Sequence, residues 1–81
     1  MITKVYESFV LNTIDRIKTF VFANSDSPCQ VDVLKDRYTV DGKSIMGLFS
    51  MEVSRPLRVT ISGTKEEVEK LDAVYREKGL I

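Results

Sequence analysis

One hydroxyl stands out among the side chains able to do chemistry. Ser44 lies within Gly42-Lys43-Ser44-Ile45-Met46-Gly47-Leu48-Phe49-Ser50-Met51. Here an extended segment, broken at Asp41-Gly42, gives way to a short apolar helix running to about Met51. Serine is a preferred N-cap, its oxygen accepting a hydrogen bond from a backbone N–H of the first turn. The same oxygen accepts a phosphoryl group when an enzyme supplies the donor. The helix that follows carries Ile45, Met46, Phe49 and Met51 where a surface helix usually carries charges. A short helix over a sheet buries about half its residues, so Leu48 and one or two others belong to the core. Ile45, Met46 and Phe49 are expected to form an exposed docking patch, because adaptable Met and aromatic side chains suit such surfaces. A phosphate on the N-cap faces unpaired N–H groups, and Lys43 is expected to add a charge contact. Such exposed interactions are worth about 0.3–1 kcal/mol, so modification acts on partner binding and leaves the fold intact.

The second informative feature is an absence: the chain has no histidine. Cys29 is its only cysteine, which excludes an internal disulfide and fits a reducing cytosol. With one Cys and no His, a structural zinc site lacks its ligands, and neither metal nor cofactor is expected. No nucleophile–base pair or phosphate-cradling glycine loop is present, so the chain reads as a non-enzyme. Twelve basic and twelve acidic side chains cancel, leaving no global field towards nucleic acid or an anionic membrane. No apolar run reaches membrane-spanning length, and the first residues lack the form of a signal peptide. The expected location is the cytoplasm. Cys29 reads as a small buried hydrophobe, and Asp15 and Asp26 as solvated or capping acids.

These residues are positioned by seven elements. Residues 2–10 are rich in β-branched and aromatic types and read as a strand, although imperfect alternation leaves its register open. Asn12 or Thr13 caps a helix with Asp15 in its first turn, and Ile14, Ile17, Phe20 and Val21 give an apolar face to about Ala23. Asn24-Ser25-Asp26-Ser27-Pro28 ends it, being composed of turn formers. Cys29, Val31 and Val33 alternate with Gln30 and Asp32 as in a half-buried strand. Asp36-Arg37 reads as a tight turn into Tyr38-Thr39-Val40. Leu57, Val59 and Ile61 alternate with Arg58, Thr60 and Ser62 up to Gly63. Thr64-Lys65-Glu66-Glu67 is a capping box that opens a last helix, with Val68, Leu71 and Tyr75, helped by Val74, facing inward. Glu66–Lys70 and Asp72–Arg76 are expected as ion pairs on its outer face, with Gly79 as the stop. The order β-α-β-β-α-β-α makes residues 1–81 one α+β domain. It predicts an open-faced β-sandwich: a four-stranded, mainly antiparallel sheet covered on one face by three helices.

That order, joined to Lys43-Ser44-Ile45-Met46-Gly47, resembles HPr, the phosphocarrier family of the bacterial sugar phosphotransferase system. The segment is similar to that of the family's regulated Gram-positive branch, and the likeness covers nearly the whole chain. Val31-Asp32-Val33, Val59-Thr60-Ile61-Ser62 and Lys78-Gly79-Leu80 fit the flanking pattern. The resemblance breaks at the family's main chemistry, a phosphate-carrying histidine within Gly-x-His-x-Arg-Pro. Counted back from Ser44 without gaps, the histidine falls on Thr13, the arginine on Asp15 and the proline on Arg16. Phosphohistidine chemistry needs an imidazole nucleophile and a steadying cation. Thr13 supplies no such nucleophile, and Asp15 replaces the cation with an anion.

The arrangement therefore resembles the Crh type, which lacks the histidine and acts through its serine. The resemblance implies an HPr kinase/phosphorylase acting on Ser44 and a transcription regulator as the recipient. Lys43, Ile45, Met46 and Phe49 are the expected partner contacts. The expected function is regulation of carbon use by a non-catalytic protein that carries no phosphohistidine. The alternative is a constitutive protein-binding module on the same fold, never phosphorylated.

Overall fold

The computed structural model describes residues 1–81. Local signals set most element boundaries. β1 (Ile2–Phe9) leads to α1 (Ile14–Ser25), and the hairpin β2 (Gln30–Lys35) and β3 (Tyr38–Asp41) follows. α2 (Ile45–Phe49), β4 (Leu57–Gly63) and α3 (Lys65–Glu77) complete the chain. The strands form one sheet in the order β1-β4-β2-β3, with every neighbouring pair antiparallel. This is the open-faced sandwich expected from the sequence.

Alternation places one face of the sheet inside. Val33 pairs with Val59 and Val31 with Ile61 across β2 and β4, and all four are buried. α1 covers them with Ile17, Phe20 and Val21, α3 with Val68, Leu71 and Tyr75, and α2 with Leu48. Cys29 is fully buried among them as a free thiol. Tyr6, Phe9, Phe20 and Tyr75 form an aromatic cluster, Phe9 lying 5.0 Å from Phe20 and 5.2 Å from Tyr75 between ring centroids. Offset and edge-on pairs of this kind add to area burial because ring edges are positive and ring faces negative. The imperfect alternation of β1 has a structural cause, a register shift between Tyr6 and Phe9 in its pairing with β4.

The caps are formed by the residues that favour them. Thr13, not Asn12, caps α1, its Oγ1 accepting from the Arg16 N–H at 3.1 Å. At α3 both halves of the capping box are made: Thr64 Oγ1 accepts from the Glu67 N–H, and Glu67 Oε1 accepts from the Thr64 N–H. Asp36, at φ 54, opens the two-residue turn between Lys35 and Tyr38. Gly79, at φ 73, ends the last helix, and the Leu80 N–H returns to the Tyr75 carbonyl at 2.8 Å.

Three expectations about elements are corrected. α1 continues past Ala23 to Ser25 because Asn24, a turn former by type, is drawn into the interior and hydrogen-bonded there. The Asp72–Arg76 pair forms at 3.0 Å, but Asp72 is not on the outer face of α3. Its carboxylate is only 14% exposed and faces β1, where Lys4 meets it at 2.9 Å and the Tyr6 hydroxyl donates to it at 2.5 Å. Glu66 and Lys70 form no ion pair.

Candidate functional site

Ser44 sits where β3 has ended and α2 has not begun. It is the N-cap of α2, with extended backbone at φ −101 and ψ 102. Its N–H donates to the Asp41 carbonyl at 3.0 Å, and the Leu48 N–H donates to its carbonyl at 3.1 Å. The Oγ accepts from the Gly47 N–H at 3.1 Å. That close approach needs a glycine, since a Cβ at position 47 would lie 2.7 Å from Val40 Cγ1 and 3.1 Å from Ser44 Oγ. Ser44 is half-buried, and its hydroxyl hydrogen has no acceptor within the protein. No base is bonded to it, as the Asp41 carboxylate instead accepts from the Lys43 N–H at 2.9 Å. The group is an unactivated hydroxyl, with no base in the protein placed to take its proton.

The apolar helix divides into two stripes. Met46 is 75% and Phe49 45% exposed, whereas Leu48 is fully buried. Ile45 departs from expectation: it is half-buried and packs against the core. The spacing explains this, because positions three apart share a helix face, so Ile45 follows Leu48 inward while Met46 pairs with Phe49 outward. Met51 also packs against the core, beyond the end of the helix. Lys43 likewise departs from expectation. Its Nζ donates to the Ser27 carbonyl at 2.9 Å, which directs its charge to the loop after α1.

At the start of α1 the structure brings together Thr13, Asp15 and Arg16, without an imidazole. Thr13 is exposed and occupied with capping, and Asp15 is exposed in the first turn. Arg16 is the one cation of the three, and each of its three guanidinium nitrogens donates to a backbone carbonyl elsewhere. Nε donates to the Val10 carbonyl at 2.8 Å, Nη1 to Gly79 at 3.1 Å and Nη2 to Leu80 at 2.8 Å. It fastens the chain beyond α3 to the start of α1. Sequence spacing gave no sign of this role, which joins residues 63 and 64 positions apart.

Asn24 is the other residue that sequence reasoning missed. Its composition context marked a turn, yet its side chain is fully buried and satisfied at both ends. Nδ2 donates to the Gly42 carbonyl at 2.8 Å, and Oδ1 accepts from the Tyr75 hydroxyl, whose pKa burial pushes up. A groove of about 800 Å³ lies apart from Ser44, between α1 and α3, over Phe22, Ala23, Leu71 and Val74. No group of three or more His, Cys, Asp or Glu is placed to hold a metal ion. No helix is long and apolar enough to cross a membrane.

No family model matches the sequence, and no curated protein does so either. Solved structures do match. The chain is similar to HPr-C-His from Thermoanaerobacter tengcongensis, with 28% identity and a TM-score of 0.67 over 94% of this chain and 89% of that one. It is similar to the phosphocarrier protein HPr from Bacillus anthracis str. Ames, with 25% identity and a TM-score of 0.66 over 90% of this chain and 94% of that one. A mycoplasma histidine-containing phosphocarrier protein superposes with a TM-score of 0.69 over 99% of this chain and 98% of that one, at 13% identity. Element order, sheet order and these superpositions agree: the chain has the HPr fold.

Proposed function

We propose that residues 1–81 form a single HPr-like, non-catalytic regulatory domain that carries no phosphohistidine and is controlled through Ser44. The observation that carries this reading is the junction at the start of α2, where an unengaged hydroxyl hydrogen stands beside the outward pair Met46 and Phe49. The phosphocarrier route has no chemistry here, since the chain contains no histidine and Thr13 and Arg16 hold structural bonds. A kinase of the HPr kinase/phosphorylase type transfers the γ-phosphoryl of ATP to Ser44 Oγ, and ADP leaves. The phosphate adds charge of about −1.5 to −2 and three acceptor oxygens. It takes over the Gly47 N–H and changes the affinity of a partner protein, such as a transcription regulator, for the Met46–Phe49 surface. The site then acts by altered docking, in the cytoplasm, with no cofactor.

The test is mass spectrometry of the protein from its native host grown on rich sugar. A singly phosphorylated peptide with the phosphate on Ser44 is expected, and its absence under every growth condition overturns the reading. A second reading, constitutive docking without phosphorylation, draws on the same exposed Met46 and Phe49. Partner capture that is indifferent to Ser44 phosphorylation favours it.

A further inference from the structure

The backbone leading into Ser44 belongs to no ladder and no helix, yet it is held from beneath. β3 ends at Asp41 and α2 begins at Ile45, so residues 42–44 must find anchors elsewhere. Gly42 is buried and its N–H donates to the Val31 carbonyl at 2.8 Å. Its carbonyl accepts from Asn24 Nδ2 at 2.8 Å. Asn24 carries the one buried side-chain amide, at 0% exposure. A buried amide is costly unless every polar atom finds a partner, and here both ends do. One end grips Gly42, and the other accepts from Tyr75 on α3. The packing leaves no slack: a Cβ on Gly42 would lie 2.4 Å from Val31 Cγ1 and 3.1 Å from Asn24 Nδ2. Lys43 Nζ adds a second clasp on the Ser27 carbonyl at 2.9 Å.

We propose that Asn24 is a positioning residue for Ser44. Its bond to Gly42 fixes the backbone from which the serine hydroxyl is presented, and loss of that single donor slows modification of Ser44 by a protein kinase while the domain stays folded. The proposal rests on the reading of Ser44 given above. An apolar side chain at position 24 would fill the same space, but it leaves the Gly42 carbonyl without a donor. The requirement is for an N–H at that point, and the Asn24 amide supplies it from within α1, which runs one residue further to Ser25.

The test uses the full chain with Asn24→Asp and Tyr75→Phe. Asn24→Asp keeps the acceptor for Tyr75 and removes the donor to Gly42; Tyr75→Phe does the reverse. Asn24→Leu paired with Tyr75→Phe, which brings no charge, no proton for Gly42 and no stranded hydroxyl, repeats the donor loss should Asn24→Asp not fold or bury its carboxyl protonated. Amide hydrogen exchange is read at Ser44 and Gly47, whose N–H groups bond to Asp41 O and Ser44 Oγ. Donor loss is expected to speed their exchange roughly tenfold beyond the change in global unfolding, the equivalent of one hydrogen bond. Tyr75→Phe is expected to shift them only in step with global stability. Unchanged protection after donor loss, or equal acceleration in Tyr75→Phe, overturns the proposal. A second arm measures phosphate incorporation from ATP with an HPr kinase, where kcat/KM for donor-loss variants is expected to fall roughly tenfold and that for Tyr75→Phe to match wild type. Equal rates in wild type and donor-loss variants overturn the proposal alone. Failure to label wild type overturns the reading of Ser44 and the proposal with it.

Discussion

The Arg16 guanidinium donates through Nη2 to the Leu80 carbonyl at 2.8 Å, across 64 residues of sequence. Through the same planar fork it holds Gly79 and Val10, so the link before α1 and the chain after α3 meet on one side chain. Hydrogen bonds from a charged donor are worth more than neutral ones, although Arg16 is half-buried and partly screened by solvent. Arg16→Ala is expected to lower stability by about 1–3 kcal/mol. Arg16→Lys is expected to recover little of it, since an ammonium lacks the fork. Urea unfolding measures both, and no shift in midpoint for Arg16→Ala contradicts this role.

Asp72 is expected to make the domain sensitive to acid. Burial alone would raise its carboxyl, but hydrogen bonds from Tyr6, Lys4 and Arg76 outweigh burial and hold it down at about 2, against an ordinary 3.8. A carboxyl depressed on folding contributes stability that is fully present above its unfolded value and is lost as pH falls through its folded value. The Asp72 contribution is therefore expected intact above about pH 5 and lost progressively towards pH 2. Asp72→Asn is expected to be less stable near neutrality and to show a shallower loss in that acid window. Urea midpoints across the window check this, and parallel curves for variant and wild type contradict it.

Gly47 is placed under the opposite influences of helix propensity and space. Alanine gains about 1 kcal/mol over glycine inside a helix. Its Cβ would lie 2.7 Å from Val40 Cγ1, a stiff β-branched side chain packed against the core. Overpacking of this kind costs about 1–3 kcal/mol, so Gly47→Ala is expected to be a net loss of about 1 kcal/mol that displaces α2 and weakens the Ser44 cap. A variant as stable as wild type, with the Ser44 and Gly47 amide resonances unmoved, contradicts it.

The features legible in the sequence were those carried by neighbours in the chain. Alternation in Val31-Asp32-Val33 and in Val59-Thr60-Ile61 marked β2 and β4 because a strand's faces are set two residues at a time. Thr64 and Glu67 marked the start of α3 because a capping box closes within one turn. What stayed hidden depended on distant partners. Asn24 meets Tyr75 across 51 positions and Arg16 meets Gly79 across 63, and neither pairing leaves a local trace. Asp72 reads as an outer residue from its i,i+4 partner Arg76, whereas its contact with Tyr6, 66 positions away, leaves no local signal. Ile45 is different, since its three-residue spacing to Leu48 carried the inward signal that overall apolarity obscured.

Incubation with an HPr kinase/phosphorylase and ATP, followed by intact-mass and peptide mapping of wild type and Ser44→Ala, tests the central claim most directly. The account predicts a single phosphate on wild type, mapped to Ser44, and none on Ser44→Ala. Equal labelling of both chains, or no labelling of either, contradicts it.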